Sequence, residues 1–152
     1  MKIWLLSHSE ELKKTTGTGR LVKDVLGQQC DIIVWSRVAP SEAILHLSPT
    51  NTLLIYPSEK PEQTDTDDDQ LNVDNIIIID GTWQQARKIY NQSPYLKIFK
   101  HHEITAVNSV YKKRRNQKNQ GLCTAEVAIH LLNKYQHPAT AILFDRFTAF
   151  NQ

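Results

Sequence analysis

The segment Ile76-Ile77-Ile78-Ile79-Asp80-Gly81-Thr82-Trp83 restricts the fold more than any other part of the chain. An unbroken apolar run without polar alternation reads as a strand buried on both faces, as in a parallel sheet covered by helices on either side. After Asp80 the period changes: Trp83, Ala86, Ile89 and Tyr90 fall on one helical face. Thr82, with Gln85 three residues later, has the form of a capping box. Asp80 is thereby placed at the C-terminal end of a central strand, just before a helix N-terminus. In open α/β sheets that edge is where ligands bind, and here it carries a carboxylate, a hydroxyl and an indole.

The rest of the chain continues the alternation. Strands are expected at 3–6, 32–35, 52–56, 76–80, 103–107 and 141–144. Between them, Thr18 is the expected cap of a helix with Leu21, Val22, Val25 and Leu26 inward and Gly27 as its stop. A short helix over 41–47 ends at Ser48-Pro49. Longer ones are expected at 83–91 and 125–135, the second with Ala125, Ala128, Ile129 and Leu132 on one face and His137-Pro138 beyond it. The expectation is a single α/β domain over 1–152 with a mostly parallel sheet. Residues 59–74 are acidic and aperiodic, contain Pro61, and read as a surface loop.

With 152 residues, 40% of them hydrophobic, the chain suits one domain with its own core. No apolar run reaches membrane-spanning length, and residues 1–7 are too short for the apolar core of a signal peptide. Cys30 and Cys123 stand far apart, which suits neither a disulfide framework nor a zinc site, and the histidines show no ligand spacing. No metal is expected, and the cytoplasm is the natural compartment. The net charge of +2 is small, but Tyr111 leads a stretch holding Lys112, Lys113, Arg114, Arg115 and Lys118. Such a loop is a candidate for phosphate contacts with RNA, or a solvated face.

Asp80-x-Thr82-Trp83 resembles the signature of the DTW-domain family, the tRNA-uridine aminocarboxypropyltransferases. The resemblance continues in order through Lys13-Lys14-Thr15-Thr16-Gly17-Thr18-Gly19-Arg20-Leu21, Ile55-Tyr56-Pro57-Ser58-Glu59, the basic stretch 111–121, and Leu122-Cys123-Thr124-Ala125-Glu126. Two departures stand out. Longer bacterial members begin with a cysteine-rich, zinc-binding segment, whereas this sequence starts almost at its first strand. Cys123 occupies a position where the family usually has serine, a better cap, so the local helix start is expected to rest on Thr124.

The resemblance implies a trefoil-knotted, SPOUT-like sheet. It also implies transfer of the 3-amino-3-carboxypropyl group of S-adenosylmethionine, the co-substrate, to N3 of a uridine in tRNA, with release of methylthioadenosine. Asp80, Thr82 and Trp83 would form the catalytic centre. Asp80 would be the base, a contact to the sulfonium, or simply the aspartate of a strand-to-helix turn. Trp83 would wall the adenine, stack on a base, or belong to the core. Thr16, Ile55, Pro57, Ala86 and Thr124 would complete the donor site with Asp80 and Trp83, and amides near Thr124 would suit the methionine carboxylate. Glu126 lies near the pocket or is a first-turn helix acid. Arg20 and Tyr111 would join Lys112, Lys113, Arg114, Arg115 and Lys118 on the RNA. The alternatives are a SPOUT-like RNA methyltransferase, with the same cofactor turned methyl-outward, and a non-catalytic RNA-binding relative.

Overall fold

The apolar runs form strands of a single five-stranded sheet, all parallel, in the order β2-β1-β4-β3-β5. The computed structural model describes residues 1–57, 72–105, 108–113 and 121–152. The strands are β1 (Lys2–Ser7), β2 (Cys30–Val34), β3 (Thr52–Ile55), β4 (Asn75–Asp80) and β5 (Lys100–His102). The helices are α1 (Ser9–Leu12), α2 (Gly19–Leu26), α3 (Glu42–Leu45), α4 (Trp83–Asn91), α5 (Thr124–Lys134) and α6 (Thr140–Phe150), with 3-10 turns at Gly27–Gln29 and Pro94–Ile98. None of the described helices is long and apolar enough to cross a membrane.

Side chains alternate across a strand, so the central strands feed two cores. Ile3, Leu5, Ile76 and Ile78 pack with Val22 of α2, Ala128 of α5 and Phe147 of α6. Trp4, Leu6, Leu54 and Ile77 pack on the other face with Ile44, Ile89 and Leu96. This double coverage is why β4 shows no polar alternation. Its helix follows as the local signals require. The Thr82 hydroxyl accepts from the Gln85 N–H at 3.2 Å, and Gln85 returns the bond to the Thr82 N–H at 2.9 Å. Gly27 ends α2 at φ +56°, a conformation that favours glycine.

Two expected strands differ. Residues 141–144 lie inside α6, where Leu143 and Phe147, four apart, are buried while Ile142 and Phe144 are exposed. Helical spacing at longer range overrides the short apolar run. The fifth strand comes earlier than 103–107. Lys-His-His pairs at the sheet edge with Leu53, Leu54 and Ile55, and such a polar edge strand carries no hydrophobic signature. Residues 106 and 107, and most of the expected acidic loop, lie outside the described residues.

The connection after β1 leads to β2 on one side, and the connection after β4 leads past β3 to β5 on the other. The chain therefore parts between β1 and β4, where Ser7 stands in register with Asp80 at the C-terminal edge. This is the switch-point geometry at which open α/β sheets bind ligands.

Candidate active site

Asp80 is the last residue of β4 and points to the face covered by α2 and α5. It is only 4% exposed. Ser7 Oγ donates to its Oδ2 at 3.2 Å, and Thr124 Oγ1 donates to its Oδ1 at 2.5 Å. Burial pushes the carboxyl above its ordinary pKa, and the bonds from Thr124 and Ser7 offset that only in part. A Cβ on Gly19 would stand 2.9 Å from Oδ2, so the first residue of α2 is small to admit the carboxylate. The space beside it, bounded by Glu11, Lys14, Gly17, Gly19, Arg20 and Ile32, measures about 10 Å³, the size of a water. A carboxylate held this way suits opposing a nearby cation better than reaching a group outside.

The start of α5 completes this shell. Cys123 keeps the cap position, and Thr124, the first helical residue, turns its hydroxyl to Asp80 instead of capping. The Cys123 N–H donates to Glu126 Oε1 at 3.0 Å. The next amide, of Ala125, donates to Thr18 Oγ1 at 3.0 Å. Thr18 thus spends its hydroxyl on the neighbouring helix and makes no cap bond to its own. The amides expected to receive a methionine carboxylate near Thr124 include these two, both of which are engaged within the protein. Burial pushes the Cys123 thiol up to about 11, which leaves it unreactive near neutral pH.

Across β4, on the α4 side, the aromatic residues form a separate group. Trp83 is 59% exposed, so it is not the core residue its helical face allowed. Its ring lies 6.2 Å from that of Tyr56 at 17°, and Tyr56 stacks on Tyr90 at 4.0 Å and 6°. Ile89 and Tyr90 are buried and Ala86 is half-buried. Ile55, at the end of β3, packs toward the Asp80 face, with half-buried Pro57 just beyond. Sequence reasoning missed Ser7, Gly19, Tyr56 and Tyr90. The first two sit beside recognised signals, a strand end and a glycine-rich motif, but their partners are distant in sequence.

A family model described as the DTW domain matches residues 1–152. The chain belongs to the DTW-domain family. Among curated proteins it is similar to tRNA-uridine aminocarboxypropyltransferase 2 of Drosophila melanogaster, 34% identical over 87 residues, covering 57% of this chain and 35% of the fly protein. It is also similar to the macaque (Macaca fascicularis) protein of the same name, 26% identical over 151 residues, covering 93% of this chain and 51% of that one. The chain thus spans about half the length of the macaque relative and a smaller part of the fly one. No solved structure matches it.

In this DTW domain the described residues at the start of the basic stretch are tied down on both sides. Glu126 accepts from Ser109 Oγ at 2.5 Å and from the Val110 N–H at 2.9 Å. Burial would raise the Glu126 carboxyl, but the Ser109 hydroxyl and the N–H groups of Cys123 and Val110 outweigh it, and its pKa is lowered. The Asn151 amide donates to the Val110 carbonyl at 3.0 Å and accepts from the Lys112 N–H at 2.8 Å. Tyr111 lies between them. It is 5% exposed, packs on Phe147 and Phe150, and donates its hydroxyl to the Thr16 carbonyl at 2.5 Å. Its hydroxyl joins the start of the basic stretch to the segment bearing Thr16.

Lys112 and Lys113 are exposed, whereas Arg114, Arg115 and Lys118 lie outside the described residues. Arg20 is exposed and donates to the Thr15 carbonyl at 2.8 Å. Among the described residues no cluster of three or more His, Cys, Asp or Glu side chains is placed to hold a metal. A larger cavity of about 710 Å³ lies along α5 and α6, lined by Leu122, Ile129, Phe144 and Phe147 among others, and Asp80 does not line it.

Proposed function

We propose that this DTW domain transfers the 3-amino-3-carboxypropyl group of S-adenosylmethionine to N3 of a uridine in tRNA, releasing methylthioadenosine. The observation that carries this reading is the buried Asp80 carboxylate, on the signature motif, at the switch point of a parallel sheet. The family membership and the printed names of the relatives support the class of reaction. S-adenosylmethionine supplies, when bound, a carbon activated by a sulfonium.

Asp80 acts in this reading as the counter-charge to that cation, fixed by Ser7 and Thr124. A desolvated carboxylate interacts with a cation more strongly than an exposed one does. Because the space at Asp80 holds only a water-sized group, Ile55, Pro57, Ala86, Thr16 and Trp83 would hold the rest of the donor. Thr82 holds the turn between Asp80 and Trp83 through its capping box. The protein's contribution is chiefly alignment of the reacting carbon with uracil N3, and alignment alone supplies much of a rate enhancement. Lys112 and Lys113, with Arg114, Arg115, Lys118 and Arg20, contact tRNA phosphates. The same reading carries a knotted, SPOUT-like chain path and a cytoplasmic location.

The test is mass spectrometry of nucleosides from tRNA incubated with the protein and S-adenosylmethionine. The expected result is an aminocarboxypropyl adduct on uridine with stoichiometric methylthioadenosine. A methyl adduct would identify a methyltransferase, and tRNA binding with neither product would identify a binding protein. Either outcome overturns the proposal.

A further inference from the structure

We infer that the face formed by Trp83, Tyr56 and Arg87, across β4 from the Asp80 carboxylate, is a stacking platform for an unpaired nucleobase of RNA. The inference rests on the reading of RNA as acceptor and names where its single-stranded part docks.

A tryptophan 59% exposed on an ordered helix leaves a large apolar ring face in water. Trp83 is not a loosely placed side chain. It tops a stack whose lower members are fixed: Trp83 on Tyr56, Tyr56 on Tyr90, and Tyr90 at the edge of His101. The Tyr90 hydroxyl bonds His101 Nε2 at 2.7 Å, and His101 Nδ1 bonds the Phe99 carbonyl at 2.8 Å. A stack with a rigid base and one open end is pre-organised, so a further ring adds to it with little ordering cost.

The charges beside the stack favour a nucleotide over an apolar protein surface. Arg87 is exposed and lies one helical turn after Trp83, which places both on the same side of α4. Its positive charge acts on the Tyr56 phenol. Lys97 Nζ lies 5.8 Å from the centre of the Tyr90 ring. Cations beside an exposed aromatic surface are the combination by which single-stranded RNA is held, bases on rings and phosphates on charges. A duplex hides its base faces within its own stack, so the ligand is an unpaired nucleotide. The burial of Tyr111 points the same way. The described part of the basic loop supplies charge without an accessible aromatic ring, and the ring surface stands on the opposite side of the sheet.

The test uses the full chain and a short single-stranded oligouridylate, without S-adenosylmethionine. Trp4 is buried and Trp35 is half-buried, so quenching by a stacked base falls on Trp83. Binding is expected to quench wild-type emission. In Trp83→Phe the quenching is lost while most of the affinity is kept. Trp83→Leu and Tyr56→Leu should weaken binding about tenfold, within the range for one base–aromatic stack. Arg87→Gln should flatten the log–log salt slope by about 0.7 while S-adenosylmethionine titrates normally. Wild-type affinity and slope in both Trp83→Leu and Arg87→Gln, whose side chains are exposed and not needed for folding, would overturn the proposal. Emission that varies with protein concentration and not with RNA would overturn it too, by identifying a contact between copies. Oligouridylate quenching in a protein that yields no adduct from tRNA would leave this platform standing and remove only the transferase reading.

Discussion

Asp80 and Glu126 are carboxylates on the same side of the sheet whose proton affinities move in opposite directions. Asp80 is the more deeply buried and receives two hydroxyls, so desolvation prevails and its pKa rises. Glu126 is half-buried and receives a hydroxyl and two backbone N–H groups, so hydrogen bonding prevails and its pKa falls. The stability consequences are opposite in sign. For Asp80 the folded state holds its proton more tightly, so stability falls as pH rises from 3.8 through the raised folded value. For Glu126 the contribution is complete above 4.5 and is lost as pH falls through the depressed folded value. Asp80→Asn should therefore be at least as stable as wild type near neutral pH, yet lose about 10²-fold or more in transfer rate. Urea unfolding across pH together with adduct yield checks this, and near-wild-type turnover would remove Asp80 from the site. Glu126→Gln should lose about 1–3 kcal/mol at neutral pH, with the deficit vanishing in acid. A deficit that persists below the carboxylate range would show that packing, not charge, is responsible.

At the scale of elements, the Asp80 site depends on how α2 and α5 meet. The Thr18 hydroxyl, at the start of one helix, serves the first turn of the other. That turn aims Thr124 at Asp80, while Gly19 leaves room for the carboxylate. Thr18→Val keeps the shape but leaves the Ala125 N–H buried without its acceptor. It should cost about 1–3 kcal/mol and weaken S-adenosylmethionine binding at the same time. A thermal melt and a calorimetric titration on one preparation read both quantities, and an unchanged melt would show that the contact has no consequence. Elements were legible in the sequence in proportion to their local signals. The bounds of α4 follow from the Thr82–Gln85 box and a periodic face. α6 was misread because a four-residue apolar window cannot separate a strand from a helix with alternately exposed positions, and β5 was displaced because an edge strand need not be apolar.

For the molecule as a whole, the arrangement has two sides. The buried carboxylate and Tyr111, at the start of the basic stretch, lie with α2, α5 and α6, and the open aromatic stack lies with α4. Lys112 and Lys113 do not line the space at Asp80, so on the proposed reading phosphate contacts and donor binding are separable. Replacing Lys112, Lys113, Arg114 and Arg115 with glutamine should weaken tRNA binding at low salt and flatten its log–log salt slope by roughly 0.7–0.9 per lost phosphate contact. S-adenosylmethionine should titrate as in wild type, and an unchanged slope would mean that the RNA enters over another surface. What the sequence by itself determined is the set of features that depend on near neighbours: a buried parallel strand at 76–79, Asp80 at its end, the caps and bounds of α4, and the glycine stop of α2. Only the tertiary structure decided that Ser7 and Thr124 would hold the two oxygens of Asp80, across 73 and 44 residues, and that Tyr111 would turn inward to Thr16 across 95. Exposure of Trp83 belongs with these. Periodicity and capping act within about one helical turn, whereas burial and hydrogen-bond partners are set by which strand ends and helices the assembled sheet brings together.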